Sequence, residues 1–185
     1  MSARRQLGLD PGYGRLGYAV IEQAGSQWSL VDVGCVETPS TQPFEQRLLA
    51  VHQALGALLQ RWQPHEASIE TLYFSKNVKT AMQVAEARGV LRLALAEAGV
   101  PTLEIAPNAV KLALTGSGAA GKEQVGRMVV RLLNLKAMPK PDDAADAVAL
   151  ALAGLRSQPL RQNIAARASA QAKLKTLNPK TRKRA

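Results

Sequence analysis

Cysteine, histidine and long apolar runs are scarce in this sequence, and each scarcity excludes a class of protein. The single cysteine, Cys35, cannot form an internal disulfide, and the two histidines, His52 and His65, are too far apart to form a zinc motif. The longest apolar run, residues 147–155, is well short of the roughly 20 residues that cross a bilayer. The N-terminal "MSARRQLGLDP" lacks the apolar segment of a signal peptide. We therefore predict a cytoplasmic protein without disulfides, in which Cys35 is a small core residue.

Acidic residues are missing from the end of the chain. Residues 156–185 hold nine Lys or Arg and no Asp or Glu, whereas residues 1–155 hold fifteen basic and fourteen acidic residues. We predict one domain over residues 1–155 and a flexible basic tail over residues 156–185, which attracts polyanions by releasing their counterions. Residues 76–140 form a second basic region, with ten basic residues against four acidic ones. A solvated surface would also explain these charges.

The pattern of apolar residues and turn residues predicts an α/β fold. Alternating or short apolar runs indicate strands, and apolar residues at spacings of three and four indicate helices. Strands are predicted over 4–10, 17–23, 28–38, 66–70 and 101–105, and helices over 43–62, 78–98, 107–116, 122–135 and 143–155. This order predicts a mixed five-stranded sheet flanked by helices, in which three antiparallel strands are followed by parallel crossovers.

Three carboxylates, Asp142, Asp143 and Asp146, stand at the start of the last predicted helix. Asp143 and Asp146 are three positions apart, which places both side chains on one helix face, about 5–6 Å apart at Cβ. The helix dipole and capping also favour acids in a first turn, so this pair alone does not indicate chemistry. Asp10 and Glu70, however, end the first and fourth predicted strands, and active sites of α/β proteins gather at strand ends. If those strands are neighbours, all four acids meet.

Four carboxylates in one cleft need cations to remain ionised together. At an effective dielectric constant of about 20, each pair of charges 4 Å apart costs on the order of 4 kcal/mol. Oxygen ligands without histidine or cysteine suit Mg²⁺ or Mn²⁺. Two such ions can activate a water and stabilise the leaving oxygen of a phosphodiester. The sequence therefore predicts a metal-dependent phosphodiester hydrolase, and a polyanionic substrate would account for the basic surface.

Four segments, in this order, resemble the RuvC family of bacterial Holliday-junction resolvases, whose fold is RNase H-like. They are "LGLDPGYGRLGYAVI" (7–21), "SIETLYFSKNVKTAMQVAEARGV" (68–90), "APNAVKLALTGSGAAGKEQV" (106–125) and "DDAADAVALALA" (142–153). The resemblance implies a homodimer that binds four-way junction DNA and nicks two opposed strands symmetrically in recombination and repair. It also implies partnership with the branch-migration proteins RuvA and RuvB.

The resemblance assigns roles to residues of this chain. The four metal-binding, catalytic acids of the family correspond to Asp10, Glu70, Asp143 and Asp146, and two Mg²⁺ or Mn²⁺ ions per active site are implied. Asp142 matches no catalytic position and is expected to cap the helix.

Further residues are expected to contact DNA. The family's basic residues near the site correspond to Lys111 and Lys122, which would hold the scissile phosphate or neutralise charge in the transition state. Tyr73 corresponds to a family aromatic, with Phe74 beside it, and would stack on an unpaired base at the junction centre. The nearby basic residues Lys76 and Arg88 complete the predicted DNA contacts. Tyr13 stands where many relatives have a small polar residue.

Other functions share parts of this pattern. The first segment also resembles the phosphate loop of the sugar-kinase and actin superfamily, but no second glycine-rich phosphate loop accompanies it. Another RNase H-like nuclease or a resolvase-like RNA-processing protein would carry the same acids. A non-catalytic junction-binding protein would not need all four.

Overall fold

The strands and helices of the protein follow the predicted order. A computed structural model describes residues 3–12, 14–71 and 78–157 of the 185-residue chain, without the side chains of 78–80. The strands are β1 (Arg4–Pro11), β2 (Arg15–Ala24), β3 (Gln27–Glu37), β4 (Glu66–Glu70) and β5 (Thr102–Ile105). The helices are α1 (Phe44–Trp62), α2 (Val78–Glu97), α3 (Pro107–Thr115), α4 (Lys122–Leu132) and α5 (142–157).

The five strands form one mixed sheet in the order β3-β2-β1-β4-β5. The pairs β1–β2 and β2–β3 are antiparallel, whereas β1–β4 and β4–β5 are parallel. The predicted fold class is therefore confirmed. Because β1 lies at the centre, each of its ends is flanked by strands on both sides, which is where a site assembled from several chain segments is expected.

Alternation along β1 divides the core into two layers. Leu7 and Leu9 point to the side covered by α1 and α2, where they pack with Leu55 and Leu95. Gly8, which lies between them, faces the opposite side of the sheet, where α5 lies. There the alanines and leucines of α5 pack with side chains of α3 and α4 such as Val110 and Val129.

Helix α5 lies unusually close to the sheet because glycines stand at its contact points. A Cβ atom on Gly8 would lie 2.0 Å from the carbonyl oxygen of Ala147, and one on Gly17 would lie 2.0 Å from that of Asp143. At the far end of the helix, Gly154 sits against the Ser68 hydroxyl. These contacts fix both the direction and the register of α5 along β1.

Several predicted boundaries differ from the structure, each for a local reason. Helix α3 ends at Thr115 because Gly116 takes a left-handed conformation with φ 79°. Helix α4 ends at Leu132, before the predicted 135, and Asn134 also has positive φ, 51°. The expectation that Cys35 is a core residue is wrong, since it is only partly buried. Within the described residues, no helix combines the length and apolar character needed to span a membrane.

Candidate active site

Two of the predicted acids are brought together by strand pairing. β1 and β4 are parallel neighbours in which Leu9 pairs with Ile69, so the residues that follow, Asp10 and Glu70, lie side by side. Side chains alternate along a strand, so Asp10, two residues after Gly8, points to the same side of the sheet, toward α5. The condition under which the four acids can meet, that the first and fourth strands are neighbours, is therefore met.

The register of α5 brings the other two acids to the same place. Its Ala147 carbonyl lies over Gly8, so one turn earlier the helix passes over Asp10 with Asp146 and Asp143. The close approach at Gly17, which pairs with Asp10 across β1 and β2, holds the first turn of α5 against the sheet. The small residues at these contacts thus set the position of the acids.

Five of the predicted site residues line one cavity of about 280 Å³. They are Asp10, Glu70, Asp146, Lys111 and Lys122. Apolar side chains of α3, α4 and α5 form the rest of its wall. Three acids and two lysines from five separate elements therefore face one space, in a cavity with few competing polar groups.

Asp143 faces a neighbouring cavity of about 440 Å³. Its carboxylate Oδ2 lies 3.8 Å from the guanidinium of Arg15, which also pairs with Glu37 at 3.3 Å. Asp143 still acts on the first cavity, since its charge is one of those that raise the pKa of Asp10. The structure thus places Asp143 beside the other three acids, with its side chain directed toward Arg15.

The electrostatics of the cavity follow from this convergence. Burial, together with the charges of Asp146, Glu70 and Asp143, raises the pKa of Asp10 from 3.8 to about 7, although Lys122 acts in the opposite direction. Burial and the charge of Asp146 likewise raise the pKa of Glu70. Both carboxyls therefore lie where negative charge is destabilised and where an added cation would be stabilised.

Lys122 provides positive charge at the edge of this cavity. Its ammonium donates hydrogen bonds to Asp142 Oδ2 at 3.1 Å and to Asp146 Oδ2 at 3.2 Å. Burial lowers the pKa of Lys122, but these two hydrogen bonds and the charges of the acids outweigh it and raise the pKa overall. The expectation that Asp142 caps α5 is wrong: Pro141 accepts the first backbone hydrogen bonds of the helix, from Ala144 and Ala145.

The donor set fits a hard divalent cation. All four acids offer carboxylate oxygens, and the pKa of Asp10 is raised by burial and by the negative charges of the neighbouring acids, which a bound cation would offset. In the described part of the chain, no three His, Cys, Asp or Glu side chains stand close enough to form a complete metal-binding group. Lys122 and Arg15 instead act as counterions for Asp146 and Asp143. Cation binding would therefore require small rotations of these side chains away from the two basic groups.

Arg88 is engaged with protein groups rather than presented on the surface. We expected a DNA contact, but the side chain is only 11% exposed, and its guanidinium pairs with Glu104. Its Nε also donates a hydrogen bond to the backbone carbonyl of Glu70 at 3.2 Å. The prediction is corrected because these groups are occupied by protein partners: Arg88 supports the end of β4 that carries Glu70.

The predicted aromatic and basic contacts Tyr73, Phe74 and Lys76 lie outside the described residues, as do Tyr13 and the tail from residue 158. The sequence interpretation missed two features that the structure does describe. One is Arg15, whose signal was a basic residue soon after Asp10. The other is Gly17, an isolated glycine within a strand, a pattern that indicates close backbone approach.

Comparison with known proteins agrees with the geometry. The family model described as crossover junction endodeoxyribonuclease RuvC matches residues 6–154. The RuvC protein of Thermotoga maritima is 50% identical over 151 residues, which cover 82% of this chain and 90% of that protein. That of Chloroflexus aggregans is 47% identical over 158 residues, which cover 85% of this chain and 96% of that protein.

Solved structures give the same result. Thermus thermophilus RuvC superposes with a TM-score of 0.79 at 34% identity, over 84% of this chain and 96% of that one. The same protein in complex with Holliday junction substrate superposes with a TM-score of 0.77, over 81% of this chain and 92% of that one. The yeast mitochondrial Holliday junction resolvase Ydc2, at 17% identity and a TM-score of 0.60, shares the fold.

Proposed function

The chain belongs to the RuvC family of crossover junction endodeoxyribonucleases, and from this premise we propose that it resolves Holliday junctions by metal-dependent hydrolysis of phosphodiesters. The observation that carries the proposal is the convergence of Asp10, Glu70, Asp146, Lys111 and Lys122 on one cavity, with Asp143 alongside. No single element of the fold supplies more than two of these groups. The site is therefore assembled only when these elements pack together in the folded chain.

We assign Asp10, Glu70, Asp143 and Asp146 as ligands of two Mg²⁺ or Mn²⁺ ions. When bound, such ions activate a water and stabilise the leaving oxygen of an in-line displacement. The four acids would hold these ions beside the DNA strand to be cut. Lys111 and Lys122, which line the same cavity, face the scissile phosphate and neutralise the charge that develops on it.

The excess of basic residues in segments 76–140 and 156–185 supports a DNA substrate. The structure of the Thermus relative in complex with Holliday junction substrate supports junction binding by the same fold. We propose that Tyr73 and Phe74 stack on unpaired bases at the junction centre, that Lys76 contacts DNA, and that the tail from residue 156 adds electrostatic attraction. RuvA and RuvB remain the proposed partners, and the cytoplasm remains the proposed location.

Symmetric nicking of two opposed strands requires two active sites, so we propose a homodimer. Met82 and Leu93 of α2 are 60% and 55% exposed. They are eleven residues apart, three turns of helix, and therefore share one face. Gly89 lies between them on that face, and no described residue from outside its own stretch of helix comes within 4 Å of its Cβ position. A second copy of α2 would cover these side chains, and the open position at Gly89 would allow the two helices to approach closely.

A junction-cutting assay tests the proposed function. The purified chain, given Mg²⁺ or Mn²⁺, should convert a synthetic four-way junction into nicked duplexes, and chelation of the ion should stop the reaction. Asp10→Asn and Asp146→Asn should bind the junction and fail to cut it. Binding without any metal-dependent cutting would refute the nuclease and leave a junction-binding protein.

A further inference from the structure

Asp142 is the one acid of the cluster without a place in the proposed catalytic set. It is the first residue of α5, and its side chain is 86% exposed. The charges that act on Asp10 are those of Glu70, Asp143, Asp146 and Lys122, and Asp142 is not among them. Asp142 therefore stands apart from the acids that surround Asp10, and its function has to be sought in its own contact, the 3.1 Å hydrogen bond from Lys122.

Lys122 is held at two points that lie on one helix face. Asp142 and Asp146 are four residues apart on α5, and the ammonium bridges their carboxylates at 3.1 and 3.2 Å. The lysine side chain is 62% exposed, and its flexible four-carbon stem would otherwise sample many rotamers. The two carboxylates thus fix the ammonium at the edge of the cavity.

We propose that Asp142 is a positioning residue that acts through Lys122. When Asp146 turns its oxygens to a cation, Asp142 remains as the anchor that keeps the ammonium at the cavity. Asp142 also offers the ammonium an alternative partner to Asp146. The carboxylate of Asp146 is then more available to bind the cation. This inference rests on the proposed function, because the task of Lys122 is to face the scissile phosphate.

A simpler explanation is that Asp142 only balances the dipole of α5, as acids in a first helical turn commonly do. That explanation and ours differ in one respect. A dipole effect is independent of Lys122, whereas a positioning effect disappears when Lys122 is absent. Exposed ion pairs contribute little to folding, so neither explanation predicts that loss of Asp142 unfolds the protein.

The test compares four full-length proteins: wild type, Asp142→Ala, Lys122→Ala and the double variant. Asp142→Ala should cut a four-way junction about two- to fivefold more slowly in single-turnover reactions, the range expected for an exposed ion pair. Its junction binding in EDTA should be no weaker, because the variant has one anion fewer near the DNA. Calorimetric titration with Mn²⁺ alone should show affinity reduced by a similar factor, and Asp142→Glu should restore most of the rate.

Both losses should vanish in the Lys122→Ala background, because residues that act as a unit are not additive. Glu123→Gln is the matched control: it removes another first-turn acid next to Lys122, one that pairs with Arg127, and should leave rate and Mn²⁺ affinity unchanged. An Asp142→Ala effect of equal size in both backgrounds, or no effect at all, would overturn the inference. Failure of the wild type to cut would instead count against the proposed function, and the Mn²⁺ titrations would still decide the role of Asp142.

Discussion

Asp10 is the residue whose pKa is raised most clearly by the convergence of acids in the site. Its carboxyl is partly buried beside three other acids, and its pKa of about 7 means that at neutral pH the metal-free protein only partly ionises it. The sequence predicted the identity of this residue and its neighbours. It did not predict the ion pairs of Lys122 and Arg15, because those depend on how the starts of α4 and α5 meet and on where the loop after β1 turns.

The raised pKa of Asp10 predicts how the stability of the metal-free protein depends on pH. A carboxyl with pKa 3.8 when unfolded and about 7 when folded binds more protons in the folded state between those values, so stability falls as pH rises from about 4 to 7. The loss amounts to on the order of 4 kcal/mol over the full range. Urea unfolding in EDTA between pH 4 and pH 8 measures it.

Asp10→Asn should weaken this pH dependence and should be more stable than the wild type at pH 8, because an amide carries no charge to bury. If the variant and the wild type lose stability in parallel as pH rises, Asp10 does not carry the raised pKa.

At the scale of elements, the strands and helices were predictable and their close packing was not. Turn residues and apolar periodicity marked every strand to within a few residues of its observed bounds. The closeness of α5 to β1 and β2 depends on glycines. An isolated glycine in a strand indicates that some backbone approaches closely, but not which element approaches or in which register. That contact sets the positions of Asp143 and Asp146. The geometry of the site therefore depends on a helix-to-sheet packing that could not be predicted from the sequence.

Gly17→Ala tests this contact. The new Cβ would lie 2.0 Å from the Asp143 carbonyl oxygen, so the first turn of α5 must move. We expect a loss of about 1–3 kcal/mol of stability in urea unfolding, the usual cost of overpacking, together with slower junction cutting.

Gly56→Ala is the matched control for Gly17→Ala. Gly56 lies within α1, and among the described residues no atom outside its own stretch of helix comes within 4 Å of its Cβ position. Alanine should therefore stabilise the protein by about 0.5–1 kcal/mol and leave cutting unchanged. If Gly17→Ala behaves like this control, the close approach of α5 is not what positions the acids.

At the scale of the whole molecule, hydrolysis of a phosphodiester and symmetric resolution of a junction require different numbers of active sites. Hydrolysis needs one cavity, whereas symmetric resolution needs two in a fixed relation. The family resemblance predicted both, and the residues of a single chain support only the first. The exposed face of α2 is the described surface best suited to join two copies, since Met82 and Leu93 are left 60% and 55% exposed by the part of the chain that the structure describes.

Leu93→Glu tests the dimer. A charge on this face would have to be buried in the interface, so the variant should sediment as a monomer at concentrations where the wild type is a dimer. It should then nick junctions on one strand at a time and lose paired cutting. Leu112→Glu, which places the same charge on an equally exposed leucine of α3, is the control for sedimentation. A Leu93→Glu protein that remains dimeric would place the interface elsewhere.

The central claim is that acids from three separate segments hold cations in one cavity. The most direct measurement is anomalous scattering from crystals of this protein soaked in Mn²⁺. The account predicts manganese bound by carboxylate oxygens of Asp10, Glu70 and Asp146, with Asp143 turned from Arg15 toward the metal, and no such signal in Asp10→Asn. Manganese absent from this cavity, or bound only at other surfaces, would contradict it.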